Sequence, residues 1–180
     1  GHTPEDMAAG MTEWLENFYD KDRYLQICLG NEPHGKGKTV KDNVKAYKAL
    51  YEAIKKFNPD IKVIGTSVNA NEEYFKEGFH KYLDAYDFHV YETHKDVRRV
   101  LKTYRELAIK YNADKPIVST ELGLNSQGQP RIKVASELIK KVAAFFAEGG
   151  DNVSWFTIQY PDPKGKGRGE SGTAHNVFVC

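Results

Sequence analysis

Apolar residues follow two alternating spacings along this chain. Positions 97–111 repeat apolar side chains every three or four residues, the period of one helix face, and positions 40–54 and 135–146 do the same. Short apolar, often β-branched runs lie between such segments and are typical of buried strands. The predicted helices run from Pro4 to about Tyr19, between Thr39 and Asn58, from about Glu72 to Leu83, over 97–111 and over 135–146. The predicted strands are Tyr24–Gly30, Ile61–Val68, Tyr86–Tyr91, Lys115–Thr120 and Val153–Ile158.

Capping residues mark the ends of several predicted helices. The run Thr3–Asp6 (TPED) has a capping hydroxyl, a proline at the first helical position and two acids near the positive end of the helix dipole. Thr39, followed three residues later by Asp42, predicts the start of the second helix. Asn58-Pro59-Asp60 ends that helix, and Gly149-Gly150 closes the last one.

Five strands that alternate with helices predict an α/β fold with a parallel sheet and helical crossovers, arranged as one domain over residues 1–180. Two architectures fit this order: an open doubly wound sheet and a (β/α) barrel. No glycine-rich dinucleotide fingerprint or P-loop follows any predicted strand, so the nucleotide-binding form of the open sheet has no support. The chemistry described below favours the barrel.

Composition excludes several classes of partner. The chain carries 26 basic and 25 acidic residues, a net charge of +1, which gives no electrostatic basis for nucleic acid or an anionic membrane surface. No apolar run approaches the roughly 18 residues of a membrane span. No leader pattern is visible at the N-terminus; an export signal would lie upstream and would place the protein in the periplasm or outside the cell. Cys28 and Cys180 lack metal-ligand spacing, and we expect both to be unpaired.

Two glutamates follow predicted strands. Glu32 lies in the motif GNEP after the first strand, and Glu121 lies in STE at the end of the fourth. In parallel βα folds, catalytic groups sit at the carboxyl ends of strands. Alternation predicts that Cys28 shares a face with Glu32, and that Ser119 shares a face with Glu121 while Thr120 points away. Two carboxyl groups facing one cavity could act as an acid and a nucleophile on the same bond.

These motifs resemble the retaining glycoside hydrolases of clan A, the cellulase-like (β/α)8 TIM-barrel enzymes that include families 5 and 39. In that clan an Asn-Glu pair ends strand four, and a second Glu ends strand seven. The resemblance implies that Glu32 is the acid/base and Glu121 the nucleophile in double-displacement cleavage of β-glycosidic bonds in a polysaccharide or oligosaccharide. It also numbers the five predicted strands as four to eight. No cofactor and no metal is expected.

The resemblance implies roles for three more residues. Asn31 would hydrogen-bond the 2-hydroxyl of the sugar, with a turn residue as its alternative. Tyr91 would donate to the nucleophile and keep it ionised and oriented. Trp155 would form a floor for the sugar at the cleaved site, with core packing as its alternative.

Position along the chain adds further candidates for the cleft. His89 shares strand parity with Tyr91 and would be a second donor, or else a satisfied core histidine. His34 and Asn69 follow strands and would line the cleft. His94 falls in the predicted loop after the third strand.

Only five of the eight βα units of a barrel are predicted here, and a complete barrel typically has about 250 residues. We therefore expect an incomplete barrel, the C-terminal part of the domain, that is weakly stable, oligomeric or catalytically impaired by itself. Its partners would be a carbohydrate and either a complementing N-terminal half-barrel chain or further copies of itself. The alternative function is a barrel fragment that serves as a carbohydrate-binding or assembly module and needs that complementary half.

Overall fold

A computed structural model of the protein describes residues 3–33, 38–65, 67–68, 70–125 and 129–156. Within these residues helices and strands alternate, which confirms the α/β fold. The helices are α1 (Pro4–Phe18), α2 (Val40–Phe57), α3 (Glu72–Lys76), α4 (His94–Lys110) and α5 (Arg131–Ala147), with a 3₁₀ helix at Phe79–Tyr82. The strands are β1 (Gln26–Cys28), β2 (Lys62–Ile64), β3 (Tyr86–Val90), β4 (Ile117–Gly123) and β5 (Asn152–Phe156). None of the described helices has the length and apolar character needed to cross a membrane.

The chain divides into two compact units. The first comprises Gly1–Asp87 and Arg105–Pro116, and the second comprises Phe88–Tyr104 and Ile117–Cys180. The single domain expected from the sequence stays a prediction, and each unit is described by itself.

The first unit is built on a short parallel pair of strands. β1 and β2 run parallel with Ile27 opposite Val63. Both strands have only three residues and are shorter than the sequence predicts. Beyond β2, Ile64 forms an isolated parallel bridge with Ala85, and the Gly65 N–H donates to the Ala85 carbonyl at 2.9 Å. Ile54 of α2 and Val63 are completely buried, and burial of each such side chain stabilises the fold by roughly 2 kcal/mol.

The helix starts agree with their sequence signals. The Thr3 hydroxyl accepts a hydrogen bond from the backbone of Asp6, whose carboxylate in turn accepts from the Thr3 N–H. Thr39 and Asp42 form the same capping box at the start of α2. Each box satisfies two backbone donors that the helix cannot pair itself.

The helix predicted from Glu72 to Leu83 is wrong. Gly78 adopts the left-handed conformation (φ 81°), which ends the α-helix at its C-terminal cap and starts a separate 3₁₀ turn. The break brings Phe79 against Phe75, with ring centroids 5.0 Å apart, and against Tyr86 at 5.8 Å. Tight aromatic packing therefore replaces a regular amphipathic helix at this position.

The second unit centres on β4, which lies between β3 and β5 in a three-stranded sheet. β4 and β5 are parallel, and their register shifts between Ser119 and Leu122. The core on the helix side contains Phe88, which packs against Tyr104 of α4 and Phe145 of α5. α5 closes at Gly149, in the left-handed conformation, as the paired glycines predict.

A partly buried ion pair in the first unit connects α2 with the residue Asp84, which precedes β3. Asp84 Oδ2 accepts from Lys55 Nζ at 2.7 Å and from the Val63 N–H at 2.8 Å. The Lys55 and Asp84 side chains are only 19% and 25% exposed, so this pair is less screened by solvent than pairs on the surface. By contrast, the Lys48–Glu52 pair on the outer face of α2 is more than half exposed.

We predict that Asp84→Ala lowers the free energy of unfolding by about 2 kcal/mol, because it removes two hydrogen bonds and leaves a partly buried ammonium less well paired. Urea denaturation followed by circular dichroism measures this. The matched control is Glu52→Ala, which breaks an exposed pair and should change the same quantity by less than about 0.5 kcal/mol. Equal losses in the two variants would contradict the prediction.

Candidate active site

Glu121 lies within β4 rather than at its end, because the strand continues to Gly123 instead of stopping at Thr120. The register shift between Ser119 and Leu122 interrupts the regular alternation of side chains at this point. The expectation that Thr120 points away from the side of Glu121 is consequently wrong, since its hydroxyl lies 3.0 Å from His89 Nε2. An irregularity in β4 thus turns two consecutive polar side chains toward β3.

Two groups from β3 and the residue after it contact the Glu121 carboxylate. The Tyr91 hydroxyl donates a hydrogen bond to Oε1. His89 Nδ1 lies 3.5 Å from Oε2, and the His89 side chain is only 7% exposed. The Glu121 side chain retains 24% exposure, so it is accessible although both of its oxygens have a neighbouring polar group.

The histidine links two residues of β4. A neutral ring with its proton on Nδ1 satisfies both neighbours, because Nε2 then accepts from the Thr120 hydroxyl while Nδ1–H faces the Glu121 carboxylate. In this tautomer the Nδ1–H of His89 and the hydroxyl of Tyr91 both point at the Glu121 carboxylate.

Gly123 allows this arrangement sterically. A Cβ atom at this position would lie 2.8 Å from Tyr91 Cδ1 and 2.6 Å from the Phe156 carbonyl oxygen. The ring of Tyr91 therefore packs directly on the backbone of β4, two residues after Glu121. Glycine is required here by close approach, and the sequence analysis did not identify it.

Glu32 lies in the first unit on a strained segment. β1 ends at Cys28, so the alternation of strand faces does not reach Glu32, and that part of the sequence argument is wrong. Glu32 has a left-handed backbone (φ 44°), and its N–H donates to Ser67 Oγ at 2.9 Å. Ser67 is buried and is itself left-handed (φ 53°). Such conformations in non-glycine residues concentrate at functional sites, where surrounding contacts hold them in place.

The Cys28 side chain contacts the backbone directly after the neighbouring strand β2. Its thiol donates to the Gly65 carbonyl at 2.9 Å and approaches the buried Asp87 carboxylate at 3.9 Å. Burial, and then the charge of Asp87, raise the pKa of Cys28 to about 11. Cys28 is a free thiol that stays protonated at neutral pH, consistent with the expectation that it is unpaired.

The other predicted site residues lie in four different settings. Asn31 is exposed beside Glu32. Trp155 lies in β5 opposite Leu122, and Lys141 Nζ lies 6.0 Å from the centre of its ring. His34 and Asn69 lie outside the described residues. His94 is the first residue of α4 rather than a loop residue, and its Nδ1 is 3.3 Å from Glu137 Oε2.

Sequence reasoning missed Ser67, Thr120 and Gly123. The sequence offered one signal for these three positions: each is a small polar residue or a glycine near the end of a predicted strand. Positive φ at Ser67 and the close approach at Gly123 depend on tertiary contacts, so no local pattern reveals them.

Solved structures with the same fold place the chain in a class. It is similar to a glucosidase from Croceicoccus marinus (TM-score 0.70, 18% identity, 89% of this chain and 40% of that one). It is also similar to a family 39 glycoside hydrolase from Bacteroides cellulosilyticus WH2 (TM-score 0.65, 19% identity, 96% and 39%). A third similar structure is endo-glycoceramidase II from Rhodococcus sp. (TM-score 0.61, 19% identity, 96% and 44%). The chain has the TIM-barrel-type fold of clan A glycoside hydrolases and spans about two fifths of these structures.

Residues 2–162 match the family model described as Cellulase (glycosyl hydrolase family 5). The chain therefore belongs to glycosyl hydrolase family 5, which confirms the resemblance seen in its motifs. No match was found among curated proteins.

We predict that Ser67→Ala raises the amide hydrogen-exchange rate of Glu32 roughly fivefold, because one hydrogen bond of about 1 kcal/mol is lost. Hydrogen exchange followed by NMR measures the rate at the Glu32 amide directly. Ser119→Ala is the matched control, since Ser119 is equally buried but donates to the Phe88 carbonyl in the other unit. A faster exchange rate at Glu32 in both variants, or in neither, would contradict the prediction that the Ser67 hydroxyl protects this amide.

Proposed function

We propose that this chain carries both catalytic carboxyl groups of a retaining β-glycoside hydrolase, with Glu121 as nucleophile and Glu32 as acid/base. The observation that carries the proposal is the setting of Glu121, an accessible carboxylate that accepts from Tyr91 and has the His89 ring facing its other oxygen. These donors stabilise negative charge and fix the rotamer, which are the requirements of a carboxylate that must attack a carbon.

The reaction would follow two displacements. In the first, Glu32 in its protonated form gives its proton to the glycosidic oxygen while a Glu121 oxygen attacks the anomeric carbon. The C–O bond to the leaving group breaks, and a glycosyl ester forms on Glu121. In the second, the Glu32 carboxylate takes a proton from water, the resulting hydroxide oxygen bonds to the anomeric carbon, and the ester bond to Glu121 breaks. Two inversions give net retention, for which the two carboxyl groups would stand roughly 5 to 5.5 Å apart.

Other residues would bind the sugar. Asn31, next to Glu32, would hydrogen-bond the 2-hydroxyl of the substrate, and Trp155 would provide an apolar face for a ring. His34 and Asn69 would line the cleft. No metal or cofactor takes part in this scheme, because the side chains themselves supply the proton and the nucleophile.

The substrate class we propose is a β-linked oligosaccharide or polysaccharide. Support comes from the family description, cellulase, and from the names of the similar structures, a glucosidase and an endo-glycoceramidase. The five described strands would correspond to strands four to eight of a (β/α)8 barrel. An N-terminal half-barrel, or a second copy of the chain, would complete the cleft.

We predict that Glu32→Gln and Glu121→Gln each lower kcat by about 100-fold or more on polysaccharide, because each removes a proton donor or a nucleophile. The assay is reducing-sugar release from a panel of β-linked polysaccharides. Glu52→Gln, an exposed glutamate on α2, is the control and should keep full activity.

Azide distinguishes the two roles. On an aryl β-glycoside, azide should rescue Glu121→Ala by direct attack and give an α-glycosyl azide. It should rescue Glu32→Ala through the glycosyl ester and give a β-glycosyl azide. The same anomer from both variants, or near-normal hydrolysis in either, would remove the proposed assignment.

We further predict that Tyr91→Phe and Gly123→Ala each lower kcat about tenfold, because both disturb the hydrogen bond from Tyr91 to Glu121. If they act through this one contact, the double variant should be hardly worse than either single variant. The control is Tyr24→Phe, which removes the hydroxyl of a largely exposed tyrosine. Losses that multiply in the double variant would show that Gly123 does not act through Tyr91.

A further inference from the structure

Lys141 of α5 is completely buried, although lysine is among the residues least often found inside a protein. The proposed chemistry makes no use of it. Its neighbour Lys140 is the opposite case, since its side chain is 52% exposed and forms a surface pair with Glu137. The helix therefore places one of two adjacent lysines against β4, and this lysine needs a physical explanation.

The Lys141 ammonium contacts the strand that carries Glu121. Its Nζ donates a hydrogen bond to the carbonyl oxygen of Gly123, the last residue of β4. The same Nζ lies 6.0 Å from the centre of the Trp155 ring, within the range of a cation–π interaction. The indole Nε1 of Trp155 is buried and has no hydrogen-bond partner among the described residues. Lys141 thus holds the end of β4 and the face of the tryptophan on β5 at the same time.

The charges of three carboxylates act on the buried ammonium. Glu137 lies one turn earlier on the same helix, Glu92 follows β3, and Asp96 lies in the first turn of α4. Burial lowers the pKa of Lys141 to about 8, and the charges of these three groups oppose that effect. Glu137 is also held by His94 and Lys140. At neutral pH the lysine remains mostly charged.

We propose that Lys141 is a positioning residue for the glycosidase reaction: it fixes the C-terminal end of β4 and thereby sets the placement of Glu121 and Tyr91. The effect of Lys141 on catalysis rests on the proposed function, whereas its effect on the position of β4 rests on its own contacts. Gly123 is the point of action, because its backbone is two residues from Glu121 and supports the ring of Tyr91. A shift of this backbone would move the nucleophile and its hydrogen-bond donor together.

The proposal has a consequence for pH dependence with a definite sign. Below about pH 8 the ammonium is charged and its bond to Gly123 is intact; above it the charge is lost, and kcat should fall. Global stability should move in the other direction. The unfolded chain keeps this lysine protonated to higher pH, so the lowered pKa makes folding more favourable as pH rises above 8. An alkaline loss of kcat therefore cannot result from unfolding caused by this group.

The first experiment compares Lys141→Met, Lys141→Arg and the control Lys140→Met on an aryl β-glycoside. Lys141→Met should lower kcat about tenfold with little change in KM, because binding is retained while the nucleophile is misplaced. Lys141→Arg should lose less activity above pH 8 than the wild type does, since a guanidinium does not lose its proton there, while the need for a protonated Glu32 is the same in both. Lys140→Met should behave as the wild type. Equal losses in Lys140→Met and Lys141→Met, or an alkaline limb unchanged in Lys141→Arg, would overturn the proposal.

The second experiment needs no enzymatic activity. The chain has two tryptophans, so Trp14→Phe leaves Trp155 as the only indole fluorophore. Its emission should titrate with a midpoint near pH 8, and this transition should disappear when Lys141→Met is added. Hydrogen exchange at residues 121–123, divided at each pH by the intrinsic base-catalysed rate, should accelerate over the same pH range. A flat titration, or exchange that does not respond, would overturn the inference even if the enzyme is active.

The two readouts separate the hypotheses. If the wild-type protein cleaves no glycoside but fluorescence and exchange both titrate, the proposed function fails and the role of Lys141 in fixing β4 stands. If the protein is active and neither readout titrates, the proposed function stands and the inference on Lys141 fails.

Discussion

The hydrogen bond from Tyr91 to Glu121 depends on the close approach of an aromatic ring to the backbone of β4 at Gly123. Gly123 permits this approach because it has no side chain. The register shift between Ser119 and Leu122 turns Thr120 and Glu121 toward the residues of β3. The carboxylate gains its donors because of an irregular strand, and a regular strand would have sent Thr120 to the opposite face.

The carboxyl group of Glu32, in the first unit, is oriented in a different way. Glu32 follows a three-residue strand, and its orientation is set by a left-handed backbone and by the buried hydroxyl of Ser67. Strand pairing on both sides positions Glu121, whereas a left-handed loop backbone whose N–H donates to Ser67 positions Glu32.

The sequence predicted the order of elements well because caps and apolar periodicity are local signals. The capping boxes at Thr3 and Thr39 and the closing glycines are read from a few neighbouring residues. Strand lengths and the break at Gly78 were not predicted, since they depend on which segment pairs with or packs against another. The same division holds in the candidate site: the motifs around Glu32 and Glu121 are visible in the sequence, but Ser67, Gly123 and Lys141 act only through distant contacts.

The left-handed backbone of Glu32 has an implication for how this segment can change. Glycine adopts that conformation freely, while a side-chain-bearing residue such as glutamate is strained by roughly 1 kcal/mol there. Selection for thermal resistance alone would accordingly enrich Gly or Asn at position 32. A library screened only for heat tolerance would then lose glutamate at this position without any visible defect in folding, and under the proposed function the carboxyl group would persist only where turnover is also selected.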